Sequence, residues 1–177
     1  MHDVNEAMEK LLQHYRHDFL NVLQVVGGLA QLQKTDKLLA YIREASEETQ
    51  QFARFVGCGD ARLALAVFDA LLQNMDGDYV LQVEGSIPSL EPSFLDGLAC
   101  TLAVASNCMQ KLQGVTLAVD IEGGTHPTLN LRLLGEKESI WQPVLLAANQ
   151  NGLRASIDAK NCEFSLLLDK WESAGEK

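Results

Sequence analysis

From Val4 to about Gln33 apolar residues return every three or four positions without interruption, and this periodicity constrains the fold more than any other feature of the chain. At about 100° per residue, with His17 as zero, Val4, Met8, Leu11, Leu12, Tyr15, Phe19, Val22, Leu23, Val26, Leu29 and Ala30 fall within about 60° of the opposite direction. The spacing predicts one long helix with a broad, continuous apolar face. Beyond the polar break Lys34-Thr35-Asp36, the residues Leu38, Ile42, Ala45, Thr49, Phe52 and Val56 recur at coiled-coil spacing, and Leu39, Tyr41 and Phe55 widen that seam. So short a link predicts an antiparallel helical hairpin. Each apolar face is too wide for one partner helix, so the expected assembly is a homodimer in which two hairpins form a four-helix bundle.

Gly57-Cys58-Gly59 ends the second helix, and the rhythm changes. Residues 60–74 read as helix, 79–84 as strand, 93–112 as helix, 115–122 and 128–134 as strands, and 139–151 as helix. Residues 153–159 and 163–168 read as a closing strand pair around Lys160-Asn161. Five strands with three interspersed helices predict a two-layer α/β domain. The fold class is therefore α+β, with a helical hairpin at 1–57 and an α/β domain at 58–177.

The chain of 177 residues carries 14 Lys and Arg against 24 Asp and Glu, a formal charge of −10. That excess repels phosphate backbones and anionic lipid heads, which argues against nucleic acid and membrane surfaces as partners. No apolar run approaches the roughly 18 residues of a membrane span, and MHDVNEAMEKLL lacks a signal-peptide core, so the expected location is the cytoplasm. Cys58, Cys100, Cys108 and Cys162 are scattered and read as reduced core thiols.

The wet side of the first helix carries the chemistry. Lys10, Gln13, His14, His17, Asn21, Gln24, Gly28 and Gln31 lie within about 60° of His17, and Leu20 is the one large apolar residue among them. His17 must then point away from the core that Tyr15 and Phe19 enter. An exposed imidazole keeps a free nitrogen lone pair at cellular pH and can act as a nucleophile. Arg16 and Asp18 flank it, a cation able to steer a phosphoryl oxygen and a carboxylate able to orient the ring or accept its proton. Asn21, one turn on, can hydrogen-bond a phosphoryl group or a docked partner. A surface helix carries polar residues on its wet side for solubility alone, but Gly27-Gly28 adds about 1 kcal/mol per glycine against the helix. Gly28, on the His17 face, fits close approach of a docking partner, whereas Gly27 fits a local bend equally well. His14, His17 and Asp18 fall short of a metal ligand set, His2 is a terminal residue, and His126 belongs to a loop.

The run Arg16-His17-Asp18-Phe19-Leu20-Asn21, continued by Val22-Leu23-Gln24-Val25-Val26-Gly27-Gly28-Leu29-Ala30-Gln31-Leu32, resembles the phosphoacceptor helix of one branch of two-component signalling proteins. That branch holds the sporulation initiation phosphotransferase B family and the citrate/fumarate-type sensor kinases, whose usual run is R-H-D-x-x-N-x-L-x-x-I-x-G-L-x-Q-L. The resemblance covers the helical hairpin, and beyond it only the pattern of elements is similar. It implies that His17 is phosphorylated, that the hairpin dimerises into a four-helix bundle, and that the C-terminal part resembles the ATPase domain of histidine kinases.

A working kinase domain of that type needs an Asn pair for Mg²⁺-ATP, a D-x-G-x-G turn and glycine-rich phosphate loops. Here the corresponding stretches read Leu98-Ala99-Cys100-Thr101-Leu102-Ala103-Val104-Ala105, Leu133-Leu134-Gly135-Glu136-Lys137 and Glu138-Ser139-Ile140-Trp141-Gln142-Pro143. The domain thus resembles a degenerate ATPase domain, and no ATP or other cofactor is expected. The resemblance then implies a phosphotransferase that relays a phosphoryl group between response-regulator aspartates through His17, with Mg²⁺ supplied by the receiver domain. Docking is expected to be local, around Lys10, Arg16 and Leu20. The alternative is a dimeric pseudokinase or regulator-binding scaffold that turns over no phosphate.

Overall fold

A computed structural model of the chain describes residues 4–73, 75, 77–112, 114–135 and 140–168. Two long helices open it, α1 (Val4–Gln31) and α2 (Thr35–Val56). The backbone between them closes tightly: the amides of Leu32, Gln33 and Lys34 donate to the carbonyls of Gly28, Ala30 and Leu29. Tyr15 of α1 stacks on Phe52 of α2 with ring centroids 5.7 Å apart. These two residues are nearly equidistant from the link, so the helices run antiparallel, as their sequence implies. Along the α2 seam Ala45 and Phe55 are buried and Leu38, Phe52 and Val56 half-buried.

Asp60 then caps a third helix, its side chain accepting from the Arg62 amide. The expected single helix over 60–74 is instead α3 (Ala61–Val67) followed by a π-helical turn at Phe68–Leu72, in which the Gln73 amide reaches the Phe68 carbonyl. The wider turn admits Phe68, Leu71 and Leu72 to the core together. Asn74 lies outside the described residues. The remaining elements are β1 (Tyr79–Glu84), α4 (Pro92–Met109), β2 (Thr116–Glu122), β3 (Thr128–Leu134), α5 (Gln142–Gln150), β4 (Ala155–Asp158) and β5 (Glu163–Leu167). Both α4 and α5 begin at a proline-bearing first turn, where the missing amide removes no helical hydrogen bond, so α4 starts one residue before the expected 93 and α5 after the expected 139. Ser139 itself lies outside the described residues.

The strands form one sheet in the order β1-β2-β3-β5-β4. β1 runs parallel to β2 and every other pairing is antiparallel. Alternation along β2, β3 and β5 sends Leu117, Val119, Ile121, Leu129, Leu131, Leu133, Phe164 and Leu166 into the core. There they join Leu98 and Leu102 of α4 and Val144 and Ala148 of α5, so the chain is α+β with its hairpin at the N-terminal end. Trp141 is wholly buried, and its indole donates to the Cys162 carbonyl at 2.6 Å. Ala7 and Leu11 of α1 and Phe55 of α2 belong to the same core, so the base of the hairpin is seated on the α/β part. No disulfide joins the four cysteines. Cys58 and Cys162 are buried as expected, Cys108 is partly buried, and Cys100 departs from the expectation by facing solvent from α4.

Candidate functional site

The polar stripe of α1 divides into a part that joins the α/β unit and a part that stays open. Near its start Lys10 pairs with Glu6 at 3.1 Å and with Asp69 of the π-helical turn at 3.4 Å. The hydrogen bond it donates to Glu6 and the charge of Asp69 hold its ammonium above the ordinary lysine range, against a smaller opposing effect of burial. Both ion-pair partners of Lys10 belong to its own chain, so its ammonium is held at the junction between α1 and the π-helical turn. His14 is half-buried at the same junction. Its ring meets Phe68 edge-on, with centroids 5.3 Å apart, and its Nε2 lies 3.3 Å from the Tyr79 hydroxyl on β1.

One turn on, the seam opens and the His17 side chain is 73% exposed. Asp18 lies between the two histidines, Oδ2 3.1 Å from His14 Nε2 and Oδ1 3.4 Å from His17 Nδ1. Asn21 Nδ2 sits 3.2 Å from that same His17 Nδ1. The helix dictates these meetings, since His14 with Asp18 and His17 with Asn21 are four residues apart and share a face. Asp18 can only accept and therefore favours a proton on Nδ1, whereas the Asn21 amide nitrogen can only donate and favours a lone pair there. Among the described residues neither neighbour touches Nε2. With Asp18 as partner, the Nε2 lone pair faces open solvent.

Arg16, Leu20 and Gln24 are exposed along the helix, and Arg16 makes no ion pair with this network among the described residues. A side chain at Gly28 would meet nothing within 4 Å, so its own chain supplies no close approach there. The structure therefore gathers His14, His17, Asp18 and Asn21, and leaves Arg16, Leu20, Gln24 and Gly28 as open surface. It also adds Tyr79 and Phe68, which sequence reasoning did not single out because both reach α1 across long stretches of chain.

Beside this network a cleft of about 1080 Å³ runs between α1, α2 and β1, one of the two edge strands of the sheet, with His14, Asp18, Phe19, Ile42, Glu48 and Tyr79 on its walls. Burial, followed by the nearby Glu44 and Asp18 charges, raises the Glu48 carboxyl. Burial first, then the charges of Asp18 and Glu48, raises the Tyr79 phenol, so its hydroxyl stays protonated at neutral pH. The apolar arc of α1 is covered on one side only. Leu12, Phe19 and Leu23 remain 60%, 53% and 50% exposed, with Ile42 of α2 exposed beside them. No helix among the described residues is long and apolar enough to cross a membrane.

No curated protein matches the chain significantly. A solved structure described as "1.7 Angstrom Structure of a Bacterial Phosphotransferase" is similar over 94% of this chain and 97% of its own, at 18% identity and a TM-score of 0.36. Residues 1–58, which hold the helical hairpin, match the family described as sensor kinase SpoOB-type, alpha-helical domain, and this match supports the resemblance of the hairpin to the sporulation initiation phosphotransferase B family.

Proposed function

We propose that the chain is a histidine phosphotransferase of a two-component phosphorelay, carrying a phosphoryl group on His17 between the aspartates of two response-regulator receiver domains. The observation that supports this most is the state of the His17 ring: exposed, engaged through Nδ1 by its neighbours, and free at Nε2, within a SpoOB-type helix. In the first step the Nε2 lone pair attacks phosphorus, the P–O bond of the aspartyl phosphate breaks, and the donor carboxylate leaves. Positive charge develops on the ring, and Asp18 at Nδ1 stabilises it or takes its proton. The second step reverses this: the acceptor carboxylate attacks and the P–N bond breaks.

The hairpin, residues 1–57, is read as the dimerisation and phosphoacceptor domain, and residues 58–177 as a degenerate ATPase-like domain. A homodimer through residues 4–56 would cover Leu12, Phe19, Leu23 and Ile42, a strip too apolar to leave wet. Arg16, Leu20, Gln24 and Gly28, with the ion-paired Lys10 one to two turns before them, would offer the receiver a surface beside His17. Mg²⁺ belongs to the receiver pocket, and the chain is read as using no ATP because its sequence lacks the Asn pair and the glycine turns. Such a relay works in the cytoplasm.

The test is transfer from a phosphorylated receiver domain to the full chain. The expected product is an acid-labile, base-stable phosphoprotein whose label maps to His17. Binding of receivers with no label on His17 would favour a scaffold that turns over no phosphate.

A further inference from the structure

We infer that Tyr79 and His14 are positioning residues for His17, acting through Asp18, so that the α/β part of the chain takes part in phosphoryl transfer without touching the transferred group. This rests on the reading of His17 as the phosphoryl acceptor.

The two neighbours of His17 Nδ1 pull its ring in opposite directions. Asp18 at 3.4 Å requires a proton there, which leaves Nε2 nucleophilic. Asn21 at 3.2 Å donates to a bare Nδ1, which puts the proton on Nε2 and silences it. At these distances neither wins by reach, so the outcome depends on where the Asp18 carboxylate is held. Its second oxygen is fixed by His14 Nε2 at 3.1 Å, the shortest contact in the network.

His14 in turn is not free to turn. Phe68 packs against its ring edge-on, and the Tyr79 hydroxyl lies 3.3 Å from the same Nε2 that meets Asp18. A proton on His14 Nε2 is then shared between Asp18 and the Tyr79 oxygen, which fixes its direction as well as its distance. Tyr79 opens β1 and Phe68 opens the π-helical turn, both rooted in the main core. Seating of the α/β part on α1 is thereby transmitted, over four side chains, to the tautomer of His17.

Two readouts on the full chain test this. Long-range ¹H–¹⁵N correlation spectra report the His17 tautomer. Phosphoramidate, which gives its phosphoryl group to imidazole and leaves as ammonia, reports the reactivity of His17 without any receiver. We expect a proton on Nδ1 in the parent chain. In His14→Ala the population shifts towards Nε2–H, and labelling slows by roughly three- to tenfold, the worth of one hydrogen bond of ordinary strength. Tyr79→Phe, which keeps the ring and loses only the hydroxyl, shifts both readouts the same way by less. His14→Gln, whose amide nitrogen can again donate to Asp18, restores both.

Unchanged tautomer and rate in His14→Ala and Tyr79→Phe overturn the inference. So does a loss in His14→Ala that His14→Gln does not restore, since that marks mere packing against Phe68. Failure of the parent chain to label at His17 overturns the phosphotransferase reading instead, and the tautomer shift still decides the role of His14.

Discussion

Arg62 grips Asp60 with two arms, Nε 2.9 Å from one carboxylate oxygen and Nη2 2.7 Å from the other. The same Nη2 donates to the Leu90 carbonyl at 2.7 Å, and the Leu90 amide donates back to Asp60 at 2.9 Å. This clasp ties the exit of the hairpin to the loop that leads into α4. It lies far in the chain from His17, which makes it a probe of the scaffold alone.

Asp60→Ala removes a helix cap and leaves the buried Leu90 amide without its acceptor, for an expected loss of about 2–4 kcal/mol measured by chemical denaturation. The hydrogen bonds from Arg62, more than any other influence, hold the Asp60 carboxyl below the ordinary aspartate range. A folded value below the unfolded one means that the contribution is complete above the unfolded value, near pH ~4, and is lost as pH falls through the folded one. The stability advantage of the parent chain over Asp60→Asn should therefore shrink below about pH 4. An advantage that is flat with pH contradicts this assignment.

The exposed strip of Leu12, Phe19, Leu23 and Ile42 predicts a homodimer at micromolar concentration. Light scattering should return twice the chain mass, and Phe19→Glu or Ile42→Glu should lower it towards one chain by placing a charge in the interface. A parent chain that scatters as a monomer ends the four-helix bundle.

The missing Asn pair and glycine turns predict that Mg²⁺-ATP produces no heat of binding in the micromolar range and no self-labelling. Binding detected by calorimetry would turn the reading towards a divergent kinase.

Arg16→Ala and Asn21→Ala should each slow receiver-to-His17 transfer and leave the oligomeric state unchanged. Both side chains are exposed, and their assigned roles are electrostatic positioning and not packing. If both variants transfer at parental rates, only the nucleophile assignment survives.

Much of this architecture is legible in the sequence, and where it is not the reason is distance along the chain. Alternation bounds the first and third strands at 79–84 and 128–134, where the structure has them. The helical repeat that puts Tyr15 and Phe19 on the apolar face of α1 turns His17 to the opposite side, although in the single chain Tyr15 and Phe19 stay 41% and 53% exposed. The same repeat hides the π-helical turn at Phe68–Leu72, because Leu63, Val67, Leu71 and Leu72 fit an ordinary helix equally well. It also makes Lys10 and His14 look as free as His17. What captures them is Asp69, Phe68 and Tyr79, at sequence separations of up to 65 residues, and no local pattern records such a meeting. The single parallel pairing, β1 with β2, is hidden for the same reason.

The most direct measurement of the central claim is the fate of label from a phosphorylated receiver domain in His17→Ala, with His14→Ala alongside. Because the His17 side chain is 73% exposed, its removal should change stability by no more than ~0.5 kcal/mol and leave the assembly as it was. The account predicts that His17→Ala stays folded and takes no acid-labile label, and that His14→Ala takes label at a reduced rate. Label that persists in His17→Ala, or that moves to His14, contradicts it.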